Sequence, residues 1–178
     1  MIVFLVGFMG SGKTYWAFRL AEALGVVWTD LDQRIIQKES LAIATIFQEK
    51  GQAYFREVET SCLRSLKEQY GNTGGDKNRS VSVIVATGGG TPCFDGNMDW
   101  MNENGLTVWL NPPIPKLAER LKTELEVRPL LQHVTEDRLE EFIAGKMKER
   151  EEFYSKAKLE IKNTNIAVED FVNLILHA

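Results

Sequence analysis

Cysteine is scarce: Cys62 and Cys93 are the only two in 178 residues, and neither belongs to a disulfide framework or to a metal-ligand spacing. A reducing compartment is expected. Lysine and arginine never gather into a dense run, and the formal charge is −4, which argues against a nucleic-acid binder but leaves room for a local anion pocket. No stretch approaches the ~18 uninterrupted apolar residues of a membrane span. The apolar start, Met1 to Val6, is too short for a signal segment and lacks a basic leader. The expectation is a cytoplasmic protein whose partners are small molecules, with no nucleic acid and no membrane. There is no internal repeat, and an apolar fraction of 44% suffices for one core, so residues 1–178 read as a single domain.

What the chain does contain is concentrated near its start. Ile2 to Val6 is a strand-like run, Gly7-Phe8-Met9-Gly10-Ser11-Gly12-Lys13-Thr14 follows, and an amphipathic segment runs from Tyr15 to Leu24. Glycines let the backbone curl around phosphate oxygens with amide N–H groups pointing inward. A helix starting near Gly12 aims its unpaired N–H groups at the same anion, Lys13 can neutralise the β- and γ-phosphates, and the Thr14 hydroxyl can ligate Mg²⁺. Strand, loop and helix in that order spell a nucleoside triphosphate site.

Further strands are expected at Val26 to Thr29, Val81 to Ala86, Thr107 to Leu110 and Ala157 to Ile161, with helical patterns between them. This alternation specifies a three-layer α/β/α sandwich around a five-stranded parallel sheet with right-handed crossovers. The second strand reads as fully apolar until Asp30-Leu31-Asp32, which places two carboxylates at the ligand-binding edge of such a sheet. Either aspartate alone also suits a helix N-cap. Ser40 reads as the N-cap of a helix over residues 41–50, and Gly51 ends it. In the next helix Arg56 and Glu59 stand three apart, which taken alone is a surface ion pair worth a few tenths of a kcal/mol. Residues 71–80 form a polar, glycine-rich connector. Gly88-Gly89-Gly90, after the third strand, is costly in backbone entropy and points to close approach of a ligand or to a strained turn. The stretch 124–134 contains Arg128-Pro129 and reads as a loop that can move. A long helix from Thr135 to about Tyr154 carries Arg150 near its end, and the last helix spans residues 168–176.

The sequence resembles the shikimate kinases along essentially its whole length. The resemblance is carried by the loop from Gly7 to Thr14, Asp30-Leu31-Asp32, Phe55-Arg56-x-x-Glu59, Gly88-Gly89-Gly90, Arg128-Pro129-Leu130-Leu131 and Arg150-x-x-x-Tyr154. It implies a P-loop kinase fold and ATP-dependent phosphorylation of the shikimate 3-hydroxyl, a step of chorismate and aromatic amino acid biosynthesis. By that resemblance Gly10, Ser11, Gly12, Lys13 and Thr14 hold the nucleotide, Arg120 is the candidate beside the adenine, and Thr14 binds Mg²⁺ directly with Asp30 acting through water. Asp32 contacts the reacting hydroxyl and takes its proton. Arg56 and Arg150 grip the carboxylate, Gly88, Gly89 and Gly90 supply backbone contacts, and Glu59 orients Arg56. Lys13 and Arg128 neutralise the transferring phosphoryl group. A shikimate-binding helical region is expected at about residues 31–62 and a mobile lid at about 122–134, in a monomer that binds shikimate and ATP or ADP.

Three features depart from the family pattern. Tyr15-Trp16-Ala17 stands where small residues and glycine commonly follow the phosphate loop, which puts the packing of the first helix in question. The stretch 122–127 has no glycine, and the connector 71–80 is longer than usual. Two other readings stay open at this point: a gluconate or other small-polyol kinase, and a nucleotide-dependent regulatory protein without catalysis.

Overall fold

The computed structural model describes residues 1–71, 81–125, 129–131, 133–163 and 165–178. Five strands form one parallel sheet: β1 (Ile2–Val6), β2 (Val27–Asp30), β3 (Val83–Ala86), β4 (Gly105–Leu110) and β5 (Leu159–Ile161), in the order β2-β3-β1-β4-β5. Every residue of β1 is buried, because the strand lies at the centre and alternate side chains enter two different cores. On one face Val3 and Leu5 meet α1 (Lys13–Leu24) and α7 (Val168–Leu176). On the other, Ile2, Phe4 and Val6 meet residues of α2 (Leu31–Glu39), α3 (Ile43–Tyr70) and α4 (Asn97–Asn104). A third cluster forms where Phe8 of the first loop packs on α5 (Ile114–Leu121) and α6 (Leu139–Tyr154). The expected three layers are thus present.

Register brings the functional loops together. Leu5 pairs with Ala86, and Ala86 pairs with Asp30. The chain therefore leaves β1, β3 and β2 at one level, and residues 7–14, 87–90 and 31–32 emerge side by side at the carboxyl edge of the sheet.

The second strand forms as expected and lies at the sheet edge, with Val27 54% and Trp28 39% exposed rather than covered by a neighbouring layer. The Trp28 ring instead meets Phe18 of α1 edge-on at 6.4 Å. Ser40 is not an N-cap; it closes α2 in the left-handed region (φ 54°), and α3 begins only at Ile43. Gly51 does break the helix, with φ 80° and ψ 172°, and the chain resumes helically beyond it. Glu136–Arg138 is a 3₁₀ turn, so the long helix starts at Leu139. The connector lies outside the described residues between Gly71 and Val81.

The unusual Tyr15-Trp16 pair has a packing explanation. Trp16 is 4% exposed and meets Phe171 of α7 at 5.0 Å between ring centroids, edge to face, while Tyr15 stays 59% exposed. The indole takes the volume that small residues would leave open between the first and last helices.

Candidate active site

The phosphate loop is shaped by what its glycines permit. Gly7 has φ +139°, and a Cβ there would lie 2.5 Å from the Leu110 carbonyl oxygen, so only glycine fits. Gly10 and Gly12 also take positive φ, and Gly12 is the N-cap of α1 without a side-chain cap, which leaves the first-turn N–H groups facing the loop. Lys13 Nζ donates to the carbonyls of Gly7 and Phe8, both at 2.9 Å, and so lies across the loop it serves. Arg120 of α5 donates through Nη1 to the Gly10 carbonyl at 2.9 Å. The Ser11 hydroxyl is buried with no hydrogen-bond partner among the described residues.

Asp30 has two jobs at once. Its Oδ1 caps α2, accepting from the N–H groups of Asp32 at 3.0 Å and Gln33 at 3.4 Å, and its Oδ2 accepts from the Thr14 hydroxyl at 2.9 Å. Asp32 is thereby left uncommitted to capping. Burial raises its pKa from 3.8 to about 6, Asp30 and Glu59 add to the rise, and Lys13 and Arg56 oppose it.

The Arg56–Glu59 pair is no surface contact. Glu59 is 1% exposed; its Oε2 accepts from Arg56 Nη1 at 2.5 Å and its Oε1 accepts from the Thr91 hydroxyl at 2.6 Å. Asn97, fully buried, in turn donates to the Thr91 carbonyl at 3.2 Å. The guanidinium carbon sits 4.0 Å from the centroid of the Phe94 ring and 5.0 Å from that of Phe55. Arg56 Nε is buried with no hydrogen-bond partner among the described residues. Spacing alone gives no hint of this burial.

The three glycines explain how these groups converge. Added Cβ atoms would lie 3.0 Å from Asp32 Oδ1 at Gly88, 3.4 Å from Arg150 Nη1 at Gly89 and 2.7 Å from Arg56 Nη2 at Gly90. None of the three takes a positive φ, so the strained-turn option is not the reason for them; room for neighbouring side chains is. Their amide N–H groups find no acceptor among the described residues. Arg150 of α6 donates to the Gly89 carbonyl at 3.2 Å and lies 5.3 Å from the Phe8 ring centroid. Tyr154, one turn later on the same helix face, donates its hydroxyl to that carbonyl at 2.5 Å. Thr91, Phe94 and Tyr154 had no role in the sequence reading; only the four-residue spacing of Arg150 and Tyr154 hinted at the last.

A cleft of about 840 Å³ runs between Gly12, Lys13, Asp32, Gly88, Gly89 and Arg120. A depression of equal volume opens at the other end of the sheet, around Gly105, Lys158 and Asn173, where there is no phosphate loop. Chemistry rather than size separates the two. Arg128 lies outside the described residues.

Comparison with known proteins agrees with this geometry. The family model for shikimate kinase matches residues 9–178. A shikimate kinase of Parabacteroides distasonis is 36% identical over 176 residues, which span 99% of this chain and 95% of the relative. One from Persephonella marina is 37% identical over 174 residues, 98% of this chain and 96% of the relative. Among solved structures, the shikimate kinase of Bacteroides thetaiotaomicron superposes with a TM-score of 0.83 at 32% identity, covering 99% of this chain and 97% of that one. The Acinetobacter baumannii enzyme in complex with shikimate gives 0.80 at 30% identity, covering 99% and 90%. With the phosphate loop, two carboxylates, Gly88, Gly89 and the Arg120 guanidinium lining one cleft, and with matches spanning nearly its full length, the chain belongs to the shikimate kinase family.

Proposed function

We propose that the protein transfers the γ-phosphoryl group of ATP to the 3-hydroxyl of shikimate, giving shikimate 3-phosphate and ADP on the route to chorismate and the aromatic amino acids. The observation that carries this reading is the convergence on one glycine run of a carboxylate and two guanidinium groups, beside a phosphate loop. Phosphoryl transfer needs in-line positioning and charge neutralisation more than covalent help. Gly10, Ser11, Gly12, Lys13 and Thr14 hold the phosphates, with Arg120 on the nucleotide side of the cleft. Arg56 and Arg150 hold the planar carboxylate, which a guanidinium fork suits better than an ammonium. The amide groups of Gly88, Gly89 and Gly90 supply further donors. Asp32 receives the hydroxyl proton, and a carboxylate with a pKa of about 6 is well matched to that task near neutral pH.

The donor set also fits Mg²⁺. Thr14 and Asp30 present two oxygens 2.9 Å apart beside the loop. Mg²⁺ characteristically takes one or two protein oxygens, keeps several waters and completes its shell with phosphates. Thr14 would bind it directly and Asp30 through water, and the bound ion would neutralise charge on the β- and γ-phosphates. In the same reading Arg128, carried on the lid at residues 122–134, meets the transferring phosphoryl group, and residues 31–62 form the acceptor-binding region of a single domain. The protein works as a cytoplasmic monomer on two small molecules. No helix among the described residues is long and apolar enough to cross a membrane.

A coupled ADP-release assay with shikimate and with gluconate tests the proposal. Turnover with shikimate alone is expected; turnover only with gluconate, or with neither, would sink it. Lys13→Ala removes the cation lying across the loop and is expected to lower kcat/KM by about 10²-fold or more, within the range reported for loss of electrostatic stabilisation at a reacting centre. Unchanged kinetics in that variant would contradict the role given to Lys13.

A further inference from the structure

The Gly89 carbonyl is held by two donors from α6, Tyr154 Oη at 2.5 Å and Arg150 Nη1 at 3.2 Å. Glycine has no side chain with which to fix a peptide plane, so a run of three needs an anchor from outside. No described peptide bond is cis, and across a trans peptide the following N–H points opposite to the carbonyl. Drawing the Gly89 carbonyl toward α6 therefore turns the Gly90 N–H away from α6. Gly90 also borders Arg56, since a Cβ on it would lie 2.7 Å from Arg56 Nη2. That N–H has no acceptor among the described residues. Tyr154 is fully buried, and burial pushes its hydroxyl pKa up to about 12, so it stays a donor across the working pH range.

We infer that Tyr154 is a positioning residue for the acceptor. Its hydroxyl fixes the Gly89–Gly90 peptide plane and, through the shared oxygen, the Arg150 guanidinium, so that an amide N–H and a guanidinium face the acceptor carboxylate together. This rests on the shikimate reading above. It differs from packing, because the ring contact with Trp109, 5.7 Å between centroids, survives in phenylalanine while the hydroxyl does not.

The test is Tyr154→Phe, assayed with shikimate and with its methyl ester, in which the carboxylate is masked. The KM for shikimate is expected to rise about five- to twentyfold, the scale of one lost hydrogen bond to a charged site. The KM for ATP should stay within about twofold of the unaltered protein, and the preference for acid over ester should shrink by a similar factor. A shikimate KM unchanged within about twofold overturns the inference. So does a joint rise in both substrates' KM with a lowered melting temperature, or an unchanged preference for acid over ester; either would assign Tyr154 to packing. The unaltered protein separates the two levels. Inactivity on shikimate there overturns the proposed function, whereas an active parent with an unaffected variant overturns only the role of Tyr154.

Discussion

Asp32→Asn is expected to lower kcat for shikimate phosphorylation by about 10²- to 10⁴-fold, the usual range for a lost general base, and at the same time to make the folded protein more stable at pH 8. The two effects share one cause. Burial, with Asp30 and Glu59 nearby, raises the folded-state pKa of Asp32 from 3.8 to about 6, so its ionised form is disfavoured by folding. A raised carboxylate pKa favours the folded state fully below the unfolded value, and the benefit is lost as pH rises through about 6. Above that pH the rise from 3.8 to about 6 corresponds to a cost of about 3 kcal/mol. A carboxamide of the same shape does not carry it. In a chain of this size the gain amounts to about 6–12 °C in melting temperature, present at pH 8 and fading as pH falls through 6. The kcat/KM of the unaltered enzyme should fall below the same pH, because the free enzyme then holds the proton that the base must accept. Thermal melts of both proteins at pH 8 and pH 5, with a pH–rate profile of the parent, check this. A variant less stable than its parent at pH 8, or a profile flat down to pH 5, would contradict it.

Arg56→Ala should do damage of two kinds. On the proposed function it removes a grip on the acceptor carboxylate, so the shikimate KM should rise about 10²-fold, as expected for truncating one side of a buried charge pair. It also strands Glu59, which is 1% exposed and otherwise pairs with Arg56 and Thr91. Removing one partner of a buried pair typically costs about 3–5 kcal/mol, or on the order of 10 °C for a chain of this length. The two effects can be separated. Adding Glu59→Gln, which keeps an acceptor for Thr91 but removes the stranded charge, should restore much of the stability and none of the shikimate affinity. Parallel melts and kinetics of the single and double variants measure this, with the ATP KM as a control. Recovery of shikimate affinity in the double variant would falsify the clamp assignment.

These variants also mark where reading the chain succeeded and failed. The phosphate loop and the triple glycine were legible because backbone constraint leaves a compositional trace, a position that admits no Cβ having to be glycine, and Asp30 and Asp32 were legible because they follow the apolar run of β2. The five strands were legible by their apolar runs, although such a run does not tell a central strand from an edge strand such as β2. Burial of a charge leaves no such trace. Arg56 and Glu59 look the same on a solvated helix face as under Phe94 and Thr91, and only tertiary packing decides between them. Ser40 illustrates another limit, since a small polar residue between helices suits the end of one as well as the start of the next. The hydroxyl of Tyr154 was hidden because its partner is a backbone carbonyl, which every residue possesses.

The alignment of Leu5, Ala86 and Asp30 across three strands has a consequence for how this chain can change length. A single residue gained or lost within β3 would carry the glycines about 3.3 Å along the strand and turn alternate side chains to the wrong face. The opposite edge, where β3 begins at Val83, is a different case. An insertion ahead of β3 shifts neither the register nor the level at which the three loops depart. Length changes ahead of β3 are thus expected to leave the cleft intact and those within it to break it, so the two edges of the sheet differ in the change of chain length they allow.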